Sequence, residues 1–299
     1  MTASPTERAR VAAVQMASGP RVEANLHEAG RLIGMAANAG ARLVVLPENV
    51  AIMGLSDTDK LAHVEADGAG PIQDFLAGQA ARHGVWLVGG TIPLRGRDPA
   101  RARAACPVYD DRGVRVARYD KLHLFDVEVS GEAAYAESDT LEPGDAVVTV
   151  DTPFGCMGVA VCYDLRFPEL FRAMAARGAE FFVVPSAFTA RTGAVHWRPL
   201  LQARAVENLC YVVAAGQGGY HVNGRETHGD SLVLEPWGSV QDSLARGSGV
   251  VLGEIDRRRI NEVRSRFPAL RHRRLACPDA VHPVGALTGD TSDFAQKEA

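Results

Sequence analysis

The sequence predicts a mixed α/β fold on three observations. Apolar runs of strand length recur along the chain, amphipathic helical patterns lie between several of them, and two hairpin signals interrupt the alternation. Most of the runs are continuous rather than alternating, the pattern of strands covered on both faces. Alternation of strand and helix builds a layered α/β core. The hairpin signals, Asp111-Arg112-Gly113 and Pro236-Trp237-Gly238, favour a mixed sheet over a purely parallel one.

In chain order, strands are expected at Val11–Met16, Leu43–Leu46, Val85–Thr91, Ala146–Val150 and Met157–Cys162, then at Phe181–Pro185, Tyr211–Ala215, Ser231–Leu234 and Gly249–Ile255. A first helix over 22–39 carries Val22, Leu26, Ala29, Ile33, Ala36 and Ala37 at a 3.6-residue period and stops at Gly40. Pro71 opens a second, with Ile72, Phe75, Leu76 and Ala80 on one side and Gly84 after it. Pro168 opens a third, closed near Gly178, and a fourth covers about Arg198–Leu209. No Ser/Gly-rich linker or internal repeat divides the chain. The expected organisation is one domain over residues 1–270 and a tail over 271–299 that drapes over the body or another subunit, or is partly disordered.

The 299 residues are 46% hydrophobic with a net charge of −4, so a sizeable core is affordable and nucleic acid or anionic membrane is not an expected partner. Met1–Arg10 is polar and charged, unlike a signal peptide, and no apolar run approaches the ~20 residues of a membrane-spanning helix. The five cysteines (106, 156, 162, 210 and 277) are odd in number, scattered and free of Cys-x-x-Cys pairs, which fits a reducing cytoplasm.

Three segments place reactive side chains at strand ends. In Val159-Ala160-Val161-Cys162-Tyr163-Asp164-Leu165-Arg166-Phe167-Pro168 a buried strand delivers a thiol just before a helix, a position that favours thiolate. Leu43-Val44-Val45-Leu46-Pro47-Glu48 delivers a half-desolvated carboxylate suited to act as a base near neutral pH. Arg118-Tyr119-Asp120-Lys121-Leu122-His123-Leu124-Phe125 ends a hairpin strand with an ammonium able to steady a thiolate and an oxyanion. Taken singly, each has a plain structural reading: a buried core thiol, a loop glutamate facing water, one lysine among 32 basic residues.

Together, and in this order, Pro-Glu, Lys-Leu-His-Leu-Phe and Cys-Tyr-Asp-Leu-Arg-Phe-Pro-Glu resemble the nitrilase superfamily of carbon–nitrogen hydrolases over about residues 8–275. The resemblance implies a four-layer α-β-β-α sandwich with two mixed sheets, a Glu48–Lys121–Cys162 triad, and Glu137 positioning the substrate or the lysine. A solvated loop acid is the other reading of Glu137. The chemistry implied is amide hydrolysis through a thioester on Cys162, with Glu48 as base, Lys121 and the backbone N–H of Tyr163 holding the oxyanion, and neither metal nor organic cofactor.

Residues 185–208, with Ser186-Ala187-Phe188-Thr189, resemble most the deaminated-glutathione amidase branch. The ω-amidases, N-carbamoyl amino acid hydrolases, nitrile hydrolases and a catalytically quiet scaffold subunit are the alternatives. Arg166 is expected to hold a keto-acid carboxylate, or else a structural salt bridge to Glu169 or Asp164; Phe188 and Thr192 are expected to line the pocket, Phe188 alone reading as core. The implied partners are a small amide and further copies of the chain. One departure stands out: Gly229-Asp230-Ser231 replaces the branch's Gly-His-Ser, a change near the expected active-site rim that could alter substrate choice.

Two other signals are set aside. Gly216-Gln217-Gly218-Gly219 lacks the Lys-Ser/Thr of a phosphate loop and reads as a hairpin or loop, with a tight turn at Asn223-Gly224. The arginine-rich stretch Arg257–Arg274 reads as a helix face packing on a tail or subunit rather than as a nucleic-acid patch, since no aromatic residues are interleaved for stacking.

Overall fold

The computed structural model describes residues 7–128 and 134–275 of the chain. The first half supplies β1 (Arg8–Gln15), β2 (Leu43–Val45), β3 (Trp86–Val88), β4 (Ile92–Arg95), β5 (Ala102–Tyr109) and β6 (Arg115–Asp120), followed by a small hairpin of β7 (Asp126–Val127) and β8 (Tyr135–Ala136). The second half supplies β9 (Thr149–Thr152), β10 (Gly155–Val159), β11 (Phe181–Ser186) and β12 (Tyr211–Gly216), then a hairpin of β13 (Gly218–Tyr220) and β14 (Glu226–His228), then β15 (Ser231–Leu234) and β16 (Val240–Leu244). The last strand, β17 (Gly249–Asp256), returns to pair antiparallel with β1. The helices are α1 (Val22–Asn38), α2 (Pro71–His83), α3 (Pro168–Ala176), α4 (Ala190–Asn208) and α5 (Arg257–Arg266).

Two mixed sheets result. One runs β17-β1-β2-β3-β5-β4 with β6 paired to β5, and the other runs β16-β15-β12-β11-β10-β9. Their inner faces share one core, in which Val11, Ala13, Leu43 and Val45 of the first sheet meet Met157, Val159, Val183 and Val213 of the second. The alternate residues of the first sheet, Ala12, Val14, Val44 and Leu87, pack instead on α1 and α2 through Leu32, Ile33, Leu76 and Ala80. This is why the apolar runs are continuous: successive side chains point into different layers, and both layers are dry. Each fully buried Leu or Ile there contributes about 1.5–3 kcal/mol. The layer order is α-β-β-α, as the resemblance implied. Among the described residues no helix is long and apolar enough to cross a membrane.

The elements depart from the sequence reading in a few places. The run Val85–Thr91 forms strand only over β3; the chain turns at Gly90, whose φ is +66° and where a Cβ would come within 2.1 Å of the Pro47 carbonyl, and β4 begins beyond the run at Ile92. The strand expected to reach Cys162 stops at Val159, and a 3-10 turn, Cys162–Arg166, stands between it and α3. Helix α4 begins at Ala190, not at Arg198, because the Thr189 side chain accepts a hydrogen bond from Thr192 N and caps it; Pro199, a helix-opening signal by itself, lies inside. The glycine-rich segment forms the β13–β14 hairpin, as expected. Arginines of α5 are engaged inward: Arg257 pairs with Glu180, Arg259 with Glu235, and Arg264 donates to the carbonyls of Leu209 and Ala179. Residues 276–299 of the expected tail lie outside the described residues.

Candidate active site

The three strand-end motifs converge although they are far apart in sequence. Glu48 follows β2, Lys121 follows β6, and Cys162 opens the turn after β10. Lys121 Nζ donates to Glu48 Oε1 at 2.8 Å and to both oxygens of Glu137, at 3.0 and 2.7 Å. Glu137 Oε2 also accepts from Phe125 N at 2.8 Å, which fixes its orientation. Lys121, Glu48 and Cys162 are 2%, 3% and 7% exposed, so the cluster is shielded from water but open to a cleft.

Two glycines let the backbone reach this arrangement. Gly90 permits the close approach to Pro47 that seats Glu48. Gly144, in the Glu-Pro-Gly after Glu137, lies where a Cβ would sit 2.1 Å from the Asp120 carbonyl; its N–H donates to Lys121 O at 2.8 Å. Glu142 of the same tripeptide is structural, pairing with buried Arg103. From the opposite sheet, buried Gln217 donates to Glu48 O at 2.9 Å and to Ser18 Oγ at 2.8 Å, so the set-aside glycine-rich segment in fact supports the glutamate loop.

The electrostatics follow from burial and proximity. Burial works against the Lys121 ammonium, but Glu137 and Glu48 outweigh it and raise its pKa well above the ordinary lysine range. Burial likewise pushes the Glu137 carboxyl up, and Lys121 overcomes this to hold it below the ordinary carboxylate range. Burial pushes the Cys162 thiol well above its usual range, and the facing Glu48 carboxylate adds to that, with Lys121 and the Ala187 N–H pulling the other way. The expectation of a resting thiolate is therefore corrected. The α3 N-terminus lies beyond the intervening turn, and a negative charge on sulfur would stand desolvated beside a carboxylate. The residue has φ +48°, in the left-handed region, where only a sharply turned backbone places a non-glycine side chain.

The cleft is an open-mouthed space of about 780 Å³, the solvent at its mouth included. The catalytic and substrate-binding residues expected from sequence line it: Glu48, Lys121, Cys162, Glu137, Tyr163, Arg166, Phe188 and Thr192. Arg166 lies over the rings of Tyr163 and Phe188, 5.6 and 5.4 Å from their centroids, and its Nη1 is 3.2 Å from His196 Nδ1. Phe188 is both core and wall, packing 4.9 Å from Trp197 while bordering the cleft.

Asp164 is not available to Arg166. Its Oδ2 accepts from the Tyr119 hydroxyl at 2.6 Å and Val161 N at 2.8 Å, and its Oδ1 from His123 N at 3.0 Å with His123 Nδ1 at 2.7 Å. One buried carboxylate thus ties the lysine loop to the cysteine turn, and His123, stacked on Phe167 at 3.7 Å, orients that joint. Asp230 faces away from the cleft. Its two oxygens bind Arg198 at 2.6 Å each, and its carbonyl accepts from Trp197 Nε1 at 2.7 Å, so it anchors α4 instead of shaping the rim. Sequence reasoning missed Lys60 and Arg225, two further cations on the cleft wall. Burial lowers the Lys60 pKa, while nearby Glu137 and Asp57 oppose that fall. Neither cation sits in a motif, and the only signal was its charge.

A four-layer sandwich with a buried carboxylate, ammonium and thiol gathered at its strand ends defines a hydrolase of the nitrilase type. The chain belongs to the carbon–nitrogen hydrolase family, whose model matches residues 10–265, and it is an enzyme of the amidase class. It is 41% identical over 265 residues to the deaminated glutathione amidase of Synechocystis, covering 88% of this chain and 97% of that protein. Among solved structures it is similar to Saccharomyces cerevisiae Nit3, a member of branch 10 of the nitrilase superfamily (TM-score 0.81, 31% identity, 92% of this chain and 99% of that one). It also resembles a mutant amidase from Nesterenkonia sp. that carries the acetamide moiety of fluoroacetamide on its active-site cysteine (TM-score 0.75, 26% identity, 92% and 97%).

Proposed function

We propose that the protein hydrolyses the amide of deaminated glutathione to 2-oxoglutarate and cysteinylglycine through a thioester on Cys162. The observation that carries this reading is the buried Glu48–Lys121–Cys162 cluster on the floor of a cleft that also presents Arg166. The substrate rests on the similarity to deaminated glutathione amidases.

Because the thiol is held protonated at rest, deprotonation accompanies attack. Glu48 takes the Sγ proton as sulfur adds to the amide carbon. The carbonyl oxygen becomes an oxyanion beside the Lys121 ammonium and the Tyr163 N–H, donors worth about 3–4 kcal/mol of barrier apiece. Collapse breaks the C–N bond, and Glu48 returns its proton to the departing amine. Water then adds to the thioester while Glu48 takes a proton from it; the acid leaves and the proton returns to sulfur. Glu137 keeps Lys121 aimed and charged, and Arg166 pairs with the keto-acid carboxylate. No step calls for a metal or organic cofactor.

The same reading places the protein in the cytoplasm as a homo-oligomer built on a single domain over residues 1–270. Its support is the unpaired thiols of Cys106, Cys156, Cys162 and Cys210 and the resemblance itself. Sedimentation of the purified chain tests the oligomer. The decisive experiment mixes wild type, Cys162→Ala and Glu48→Gln with deaminated glutathione and follows products and intact mass. Wild type should release both products, and both variants should fold without turning over. A Cys162→Ala protein with full activity removes the mechanism; an acyl adduct from α-ketoglutaramate without turnover of deaminated glutathione removes the substrate.

A further inference from the structure

Arg225 has no part in the reaction as derived above. It stands in the connection of the β13–β14 hairpin and lines two spaces at once, the catalytic cleft and an outer vestibule. Ser56, Asp57, Tyr135 and Asn223 also border both, so the cleft and the outer space share a wall of which Arg225 is part. Asn223 fixes the hairpin there: its Nδ2 donates to Gly54 O at 2.8 Å and its Oδ1 accepts from Arg225 N at 3.0 Å.

The guanidinium is poorly matched. It lies over the Tyr135 ring at 5.0 Å, and among the described residues its one hydrogen bond is a long one, from Nη2 to Ala187 O at 3.4 Å. Nε is shielded from solvent with no acceptor among the described residues. A buried donor left unmatched is costly, and a native structure that keeps one calls for a reason. The acids at the same mouth do not supply one. Asp57 makes no ion pair with it within 4 Å, and Glu226 lies 3.5 Å from Arg246.

We propose that Arg225 determines specificity for the leaving half of the amide by binding a carboxylate carried on the departing amine. The proposal rests on the hydrolysis at Cys162 put forward above. The acyl half stays tethered to sulfur on the cleft floor, on the side of Arg166, which belongs to the turn that Cys162 opens. The second guanidinium, on the wall the cleft shares with the outer space, is left for the departing half. Both arginines border the one cleft, Arg166 against Phe188 and Arg225 against Ala187, so a single substrate can meet both, and a planar fork is the geometry a carboxylate pairs with best. Amides of amino acids and short peptides are favoured, whereas a primary amide, whose leaving group is ammonia, offers Arg225 nothing to bind.

The test compares deaminated glutathione with its C-terminal amide, in which the glycine carboxylate becomes a neutral carboxamide. Wild type should prefer the acid by about tenfold or more in kcat/KM, the scale of a charge-assisted pair. Arg225→Met should lose that preference, and Arg225→Lys should keep part of it. A purely structural role would lower both rates together and leave the ratio intact. Equal rates in wild type, or a preference that survives in Arg225→Met, overturn the proposal. If wild type hydrolyses neither compound, the substrate assignment falls, and Arg225 is judged on calorimetric binding of cysteinylglycine and cysteinylglycinamide to wild type. Tighter binding of the acid that Arg225→Lys retains in part upholds the assignment; equal binding, or none, overturns it.

Discussion

Asp164→Asn should destabilise the protein by several kcal/mol and slow it, although the side chain touches no substrate. The carboxylate is fully buried and accepts from Tyr119, Val161 and both the backbone and ring of His123. Asparagine keeps the shape but turns one oxygen into a donor. Facing one way, its NH2 opposes the Val161 N–H; facing the other, it opposes the His123 N–H. The Tyr119 hydroxyl can rotate and the His123 ring can change tautomer, but a backbone N–H can do neither. One buried N–H is therefore left unmatched, at about 1–3 kcal/mol, and three charge-assisted bonds become neutral ones, at about 1 kcal/mol each. The total is about 4–6 kcal/mol, which for a chain of this length lowers Tm by about 6–10 °C. Thermal denaturation followed by intrinsic fluorescence measures it. Tyr119→Phe, which removes one donor of the four, should fall by less than half as much. Because Val161 precedes the nucleophile and His123 follows the lysine loop, kcat should drop about 10–100-fold through misplacement of reacting groups. An Asp164→Asn protein melting within 2 °C of wild type, about the width of a single kcal/mol, would refute the account of this carboxylate as the tie between the two motifs.

Glu137 is held below the ordinary carboxylate range in the folded state, so its stabilising effect is present above its unfolded pKa and lost as pH falls through its folded one. Glu137→Gln should accordingly flatten the decline in stability below about pH 4.3, read from denaturant midpoints across that range. It should also reduce kcat, since the aimed ammonium loses a charged partner. Gly144→Ala should destabilise the protein strongly, because the new Cβ meets the Asp120 carbonyl at 2.1 Å beside Lys121; a melt matching wild type would show that this approach can relax freely. Asp230→Asn should leave substrate preference unchanged and destabilise the protein by about 1–3 kcal/mol, since a buried carboxylate loses its charge-assisted bidentate pair with half-exposed Arg198. A changed ratio of rates on deaminated glutathione and α-ketoglutaramate would return Asp230 to the active site.

What the sequence determined by itself is what depends on neighbours along the chain. Pro71, Pro168, Gly40 and Gly84 mark helix ends because proline and glycine restrict or free the local backbone, and α1, α2 and α3 begin or end there. The continuous apolar runs foretold strands with two dry faces, and the three motifs foretold which carboxylate, ammonium and thiol would meet. Sequence could not say how those charges settle. Glu48 and Lys121 are 73 residues apart, and whether the thiol rests protonated depends on the burial and the carboxylate that folding brings to it. For the same reason Asp164, Gln217 and Arg225 were illegible as site residues: each acts through partners from another sheet or loop, and nothing in its own segment records them. Asp230 shows the converse, since a substitution that looked like a change of the rim proved to be a buried partner of Arg198 once α4 began at Ala190 and brought that arginine across to it. Local propensity is written in adjacent residues, but desolvation and ion pairing are set by distances through space, and only the tertiary structure decides those.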